Sequence, residues 1–271
     1  MSFSADARIQ QRIVALMQRV LIVDAQMASI KLVADLLRDI GRCQIWTAPD
    51  VAKGLALAEQ IDPYIVFVSH SPGVDGAAFT RALRRSEMAC RKAPVIVISA
   101  EATAAVIIGA RDAGAHEFLR KPFTIKDLMR RLEAVAARPR DWVEGVGYVG
   151  PDRRRFNSGD YAGPRKRRVD QAATPDEARV LQALRIIKAG LAAIETDPVQ
   201  VLRALTAQSE QLRDSLQAKS DVNLRVSAVV MNQRLLAMTP ATLTVEEIEP
   251  LARPLLAYLP AGEESRTRSA A

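Results

Sequence analysis

Between residues 19 and 137 the chain alternates short apolar runs with stretches of helical period. The runs VLIV (20–23), YIVFV (64–68) and PVIVIS (94–99) have no polar alternation, and CQIW (43–46) and HEFL (116–119) are weaker versions. Such runs suit strands buried on both faces. The segments between them read as helices. In SIKLVADLLRDIG, Ile30, Val33, Leu36, Leu37 and Ile40 line one face. Further helices are expected at about Asp50–Ile61, Ala77–Met88 and Thr103–Ala113, and across TIKDLMRRLEAVAAR (124–138). Five strands interleaved with helices predict an α/β fold, a doubly wound five-stranded parallel sheet with right-handed crossovers.

After Arg138 the texture changes. GYVGPDRRRF (147–156) and DYAGPRKRR (160–168) repeat a Tyr-x-Gly-Pro phrase followed by basic residues. Gly-Pro stops a helix and sets a turn, so 138–173 reads as a basic linker that presents its arginines to solvent. Helical period returns at Thr174. Leu181, Leu184, Ile187, Leu191 and Ile194 form one stripe, and Val199, Leu202, Leu205, Leu212 and Leu216 a second. Helices at about Asp221–Met238 and Val245–Leu259 complete a small all-α module over 174–260. Residues 1–18 read as a separate amphipathic helix, and 261–271 as a disordered tail.

Composition adds few constraints. The 271 residues are 49% hydrophobic and only 4% aromatic, so the cores must be aliphatic. No apolar stretch approaches a bilayer span, and IVALM near the start is too short for a signal-peptide core. Cys43 and Cys90 are isolated, as buried thiols in a reducing compartment would be. The expected location is the cytoplasm. Net charge is +7, and residues 138–170 hold nine basic against five acidic side chains.

In a doubly wound sheet, ligands sit outside the carboxyl ends of the strands. Those ends carry Asp24-Ala25, Ser69, Ser99-Ala100 and Lys121-Pro122. VLIVDAQ (20–26), IVFVSHSPGVDG (65–76), PVIVISA (94–100) and GAHEFLRKPF (114–123), in this order and spacing, resemble the receiver domain of two-component response regulators. The resemblance covers about 120 residues and implies a flavodoxin-like, chemotaxis-regulator-like fold. It further implies a phosphoacceptor Asp at the end of the third strand. Two acids after the first strand would help hold a magnesium ion, with a Ser or Thr after the fourth strand and a Lys after the fifth on the phosphoryl oxygens. Asp24, Ser99 and Lys121 match that pattern, and Phe118 stands at the switch aromatic. Ala25 and Ser69 depart from it.

The departures weigh on function. A serine hydroxyl is neutral near pH 7 and has no adjacent general base here, since His70 is expected to face away along the strand. With one pocket carboxylate of three, magnesium should bind poorly. Asp75 reads as a helix N-cap and Asp62 as a helix end, so neither replaces the acceptor. Two readings of the pocket follow: a plug in which Lys121 pairs with Asp24 beside Ser69 and Ser99, or an unused pocket whose residues merely fill space. No cofactor or metal is expected.

Neither His70 nor His116 has metal-ligand spacing, and His116 reads as a surface residue. GxGxxG and GxxxxGK[ST] loops are absent, so an enzyme is not expected. The chain therefore reads as a bacterial-type regulator with a pseudo-receiver, acting as an adaptor on signalling proteins: a histidine kinase, another receiver or an effector. Its docking surface would include Ala104, Val106, Ile107, Ile108 and the Lys126–Arg131 region, for which core packing is the alternative; self-association into a homodimer is a further option. Arg153, Arg154, Arg155, Arg165, Lys166, Arg167 and Arg168 are candidate anion binders. The alternative functions are a cyclic di-GMP sensor, through these arginines as in some receiver-like proteins, and a DNA-binding regulator, which ranks last because no helix–turn–helix pattern stands out.

Overall fold

The computed structural model describes residues 7–137, 140–153, 175–215 and 222–260. The second basic phrase, with Arg154, Arg155, Arg165, Lys166, Arg167 and Arg168, lies outside the described residues, as does the tail. The chain divides into two units, Met1–Val143 with Tyr148–Tyr161 and Glu144–Gly147 with Ala162–Ala271.

In the first unit, β1 (Val20–Val23), β2 (Ile45–Ala48), β3 (Ile65–Ser69), β4 (Val95–Ser99) and β5 (Glu117–Arg120) form one sheet of order β2-β1-β3-β4-β5. Every pairing is parallel. β1, β3 and β4 are buried along their whole length, which is why their sequences show no alternation. α1 (Ala7–Met17), α2 (Met27–Ile40) and α6 (Ile125–Ala137) pack on one face with Ile22, Phe67 and Ile96. α3 (Val51–Ile61), α4 (Gly76–Arg85) and α5 (Ala104–Asp112) cover the other face with Leu21, Val68 and Val97. The helices start where capping chemistry predicts: Asp50, Asp75 and Thr103 each accept backbone N–H groups from the first turn that follows.

Two expected boundaries are corrected. The N-terminal helix is not separate, because Ile13 and Met17 are buried in the core cluster that also holds Leu128 and Leu132 of α6. Its amphipathic period reflects packing on the sheet unit. The first Tyr-x-Gly-Pro phrase is not a solvated linker either. β6 (Trp142–Glu144) and β7 (Val149–Pro151) form a two-stranded sheet, with Tyr148 and Val149 buried. The Tyr148 hydroxyl donates to the Pro151 carbonyl at 2.6 Å, closing the phrase on itself. Gly150 rests against Gly114: a Cβ on Gly150 would lie 2.8 Å from the Gly114 Cα, and a Cβ on Gly114 2.7 Å from the Val149 carbonyl. Gly-Pro therefore serves close backbone approach rather than a free turn.

A fully buried arginine organises this end of the unit. Arg84 donates to the carbonyls of Gly114 (3.0 Å), Arg91 (2.6 Å) and Ala93 (2.8 Å), and its other terminal nitrogen lies 3.2 Å from His116 Nδ1. The Trp142 ring lies under Arg84 at 5.4 Å and Arg91 at 5.7 Å. His116 is thus not a surface residue. Burial, reinforced by Arg84 and Arg140, holds its imidazole well below the ordinary value. The neighbouring Glu117 carboxylate is bonded by Arg131 at 3.2 Å and Arg140 at 2.7 Å.

In the second unit, α7 (Pro175–Leu191), α8 (Pro198–Ser215), α9 (Val222–Leu236) and α10 (Val245–Leu256) share one aliphatic core of Leu184, Ile187, Val201, Leu205, Leu212, Leu224, Met231, Leu235, Ile248 and Leu255. The expected second stripe shifts at its start: Val199 is exposed and Val201 is buried. Glu144 is held within this unit, where Gln200 Nε2 donates to its carboxylate at 2.9 Å and Gln208 Nε2 to its carbonyl at 3.0 Å.

Two outcomes are expected. Gly114→Ala, which forces φ +96 on a residue with a Cβ and drives that atom into Val149, should lower the unfolding free energy in urea by about 2–3 kcal/mol. Because folding depresses the His116 pKa from 6.5, its contribution to stability is complete above about 6.5 and is lost as pH falls below it, with a slope of up to about 1.4 kcal/mol per pH unit. Urea midpoints from pH 7 to 5 should therefore fall faster for the wild-type chain than for His116→Gln; Glu117, present in both, cancels in the comparison.

Candidate functional site

The parallel register collects the polar residues at one end of the sheet. Val23 pairs with Val68, which sets Asp24 beside Ser69, and Ser99 pairs with Arg120, which sets Lys121 next along. The Lys121 N–H donates to the Ser99 carbonyl at 2.8 Å and fixes the start of its loop. From there the side chain crosses the strand ends. Its ammonium donates to Asp24 Oδ2 at 3.1 Å, to Ser29 Oγ at 2.7 Å and to Ser69 Oγ at 3.5 Å. Ser69 in turn donates to Ser71 Oγ at 3.3 Å. The other Asp24 oxygen accepts the Gln26 N–H at 2.9 Å.

Asp24 is 4% exposed. Burial pushes its carboxyl up, but the Ser29 hydroxyl, the Gln26 N–H and Lys121 outweigh burial and hold it below the ordinary carboxylate value. The result is a closed set of one anion, one cation and hydroxyls. Charge is balanced and the lysine's three protons each face an oxygen.

Ser99 stands apart from this cluster. Its hydroxyl donates to the His70 carbonyl at 2.8 Å and accepts the Glu101 N–H at 3.1 Å, so it ties the β3 and β4 loops together. Ser29 is the member that sequence reasoning missed. It sits in the first turn of α2, one turn before the buried Val33, and that spacing was the available signal. His70 turns from the ion pair toward Asp75, with Nδ1 3.4 Å from Oδ1, yet it also lines a shallow cavity of ≈ 390 Å³ with Gln26, Ser71, Ser99, Glu101 and Lys121. Asp75 caps α4 by accepting the Ala77 and Ala78 N–H groups. Asp62 pairs with Arg19 at 3.1 Å, away from the strand ends.

Phe118 is buried in the core on the α4–α5 side of the sheet. Val106 and Ile107 pack partly on that core, while Ala104 and Ile108 are exposed. Arg153 is not a free anion ligand: it pairs with Asp112 at 3.0 Å and stacks 4.4 Å above the Tyr148 ring.

A family model described as the response regulator receiver domain matches residues 20–133. A probable chemotaxis protein CheY from Rhizobium etli is 35% identical over 118 residues, 43% of this chain and 91% of its own length. The chain belongs to the response regulator receiver family. Chemotaxis protein CheY-3 of Vibrio cholerae is 31% identical over 121 residues, covering 44% of this chain and 92% of that protein. The solved structure of Vibrio cholerae chemotaxis protein CheY4 has a TM-score of 0.41 at 26% identity, covering 44% of this chain and 98% of that one. The unit of Met1–Val143 is thus a two-component receiver with α1 added ahead of it and the β6–β7 hairpin after it. No helix among the described residues is long and apolar enough to cross a membrane.

The family's magnesium ion does not suit this receiver's donors. Asp24 is the buried carboxylate at the strand ends and is already bonded by an ammonium and a backbone N–H, while Glu101, at the rim of the cavity, accepts from the Thr103 hydroxyl. Ala25 offers no donor, and Ser69 offers a neutral hydroxyl engaged with Lys121 and Ser71. Among the described residues no three His, Cys, Asp or Glu side chains converge.

The ion pair gives a direct test. Lys121→Met strands a buried carboxylate and should cost about 2–4 kcal/mol in urea unfolding, whereas Asp24→Asn with Lys121→Met removes both charges and should recover part of that loss. A double-mutant cycle measures the coupling.

Proposed function

We propose that this response regulator carries a receiver that rests in one state without phosphorylation, and that it works by protein–protein recognition as an adaptor or regulator of other signalling proteins in the cytoplasm. One observation carries the reading: the Lys121 ammonium lies 3.1 Å from Asp24, so the pocket carboxylate already has its counter-ion. In-line phosphoryl transfer needs an anionic acceptor and a cation to offset the crowded charge. Ser69 supplies neither, and the ammonium is already committed. The plug reading thereby gains support over the unused-pocket reading, because six polar groups are matched donor to acceptor. No catalytic constellation is assigned, and the protein is proposed to be a non-enzyme. The cyclic di-GMP alternative loses Arg153, which Asp112 and Tyr148 already hold.

Incubation with acetyl phosphate and magnesium, read by phosphate-affinity electrophoresis, should leave the wild-type chain unmodified. Ala25→Asp with Ser69→Asp should acquire an acid-stable, hydroxylamine-sensitive phosphoryl group. Labelling of the wild type that disappears in Ser69→Ala would overturn the reading.

A further inference from the structure

α9 is apolar on two opposite faces. One face, Leu224, Ala228, Met231 and Leu235, is buried in the helical core. On the opposite face Val222, Val226 and Val230 follow one another at four-residue spacing, 71%, 54% and 47% exposed. The half-buried Val229 lies beside them, and Leu236 is exposed at the edge of the same face. The exposed Gln233 is the one polar residue that falls within the valine face. Valine is a costly choice on a solvent-facing helix, because its branched Cβ loses rotamer freedom there. Positions where packing does not decide are ordinarily filled by straight-chain helix formers. Three valines in register therefore mark a packing surface.

Charge indicates what packs there. The only charged residues of α9 are Arg225 and Arg234, one on each border of the valine stripe. Arg234 is paired with Glu247 at 2.6 Å, and Arg225 has no carboxylate partner among the described residues. A second copy, paired antiparallel through this face, would set arginine border against arginine border. The two longest of the chain's own remaining segments fit no better. Residues 154–173 carry six basic and two acidic side chains, and 261–271 contain no Leu, Ile, Val, Met or aromatic residue to fill the stripe.

We propose that the outer face of α9 is a docking site for an amphipathic helix of a partner protein, whose apolar stripe is bordered by Asp and Glu. It deepens the adaptor reading and rests on it: the receiver would be the fixed part of the molecule and α9 its partner-binding edge. The partner's leucine-sized side chains seat between Val222, Val226 and Val230, and its acids meet Arg225 and the outer side of Arg234.

The full chain is titrated into two fluorescein-labelled 18-residue helical peptides with the same leucine stripe, one bordered by Glu and one by Lys, and anisotropy is read. The Glu-bordered peptide should bind at least ten-fold tighter, and its affinity should fall with added salt. Val226→Ser with Val230→Ser should weaken it at least ten-fold while leaving the urea midpoint unchanged, and Arg225→Glu should shift the preference toward the Lys-bordered peptide. Equal affinity for both peptides, or undiminished binding by the serine variant, would overturn the proposal. So would a dimer in light scattering that the serine variant dissolves, since the occupant would then be a second copy. The phosphorylation assay reads the receiver separately, so loss of peptide binding with an unlabelled receiver sinks the docking site alone.

Discussion

The salt bridge between Lys121 and Asp24 governs how the receiver end of this molecule is built. A carboxylate buried to 4% exposure needs an opposite charge and filled hydrogen bonds, or it would take up a proton. Here the charge arrives from the loop after β5 and the hydrogen bonds from Ser29 and the Gln26 backbone. The composition of the pocket follows from that arithmetic. A second carboxylate at position 25 or 69 would leave an excess negative charge that only a further cation could offset. With Ala25 and Ser69 at those positions, Asp24 and Lys121 balance each other's charge, and the receiver-family scaffold is kept.

The same accounting explains the other end of the sheet. Arg84 is buried with no carboxylate bonded to it among the described residues, and three backbone carbonyls share its protons instead. Those carbonyls belong to the loops before β4 and β5, so the guanidinium holds the strand entries in place. The hairpin of β6 and β7 closes over this region through Trp142 and the two facing glycines, Gly114 and Gly150. A neutral His116 suits the guanidiniums of Arg84 and Arg140 beside it, and the neighbouring Glu117 is already engaged by Arg131 and Arg140.

In the helical unit the balance is mainly hydrophobic, with Glu144, Gln200, Gln208, Ser209 and Asn232 as buried polar exceptions, each hydrogen-bonded. α9 contributes to that core with one face and presents valines on the other, and the polar exceptions lie on the inner side.

The five strands, the helix starts and the residues at the strand ends could all be read from the chain, because uninterrupted apolar runs, Asp or Thr before a helical period, and a polar residue after the run are local signals. The pairing of Asp24 with Lys121 was one of two readings the sequence left open, and only the fold places the ammonium 3.1 Å from the carboxylate. Ser29 was not legible, because a hydroxyl in a first helical turn looks like any cap-region serine until the register places it under the ammonium. The hairpin was misread for a related reason. Gly-Pro followed by arginines has the local chemistry of a turn, and only the fold brings Gly114 against Gly150. Patterns of period and capping are properties of neighbours in sequence; which buried charge meets which, and whether a glycine lies against another backbone, are properties of segments that meet only once the chain has folded.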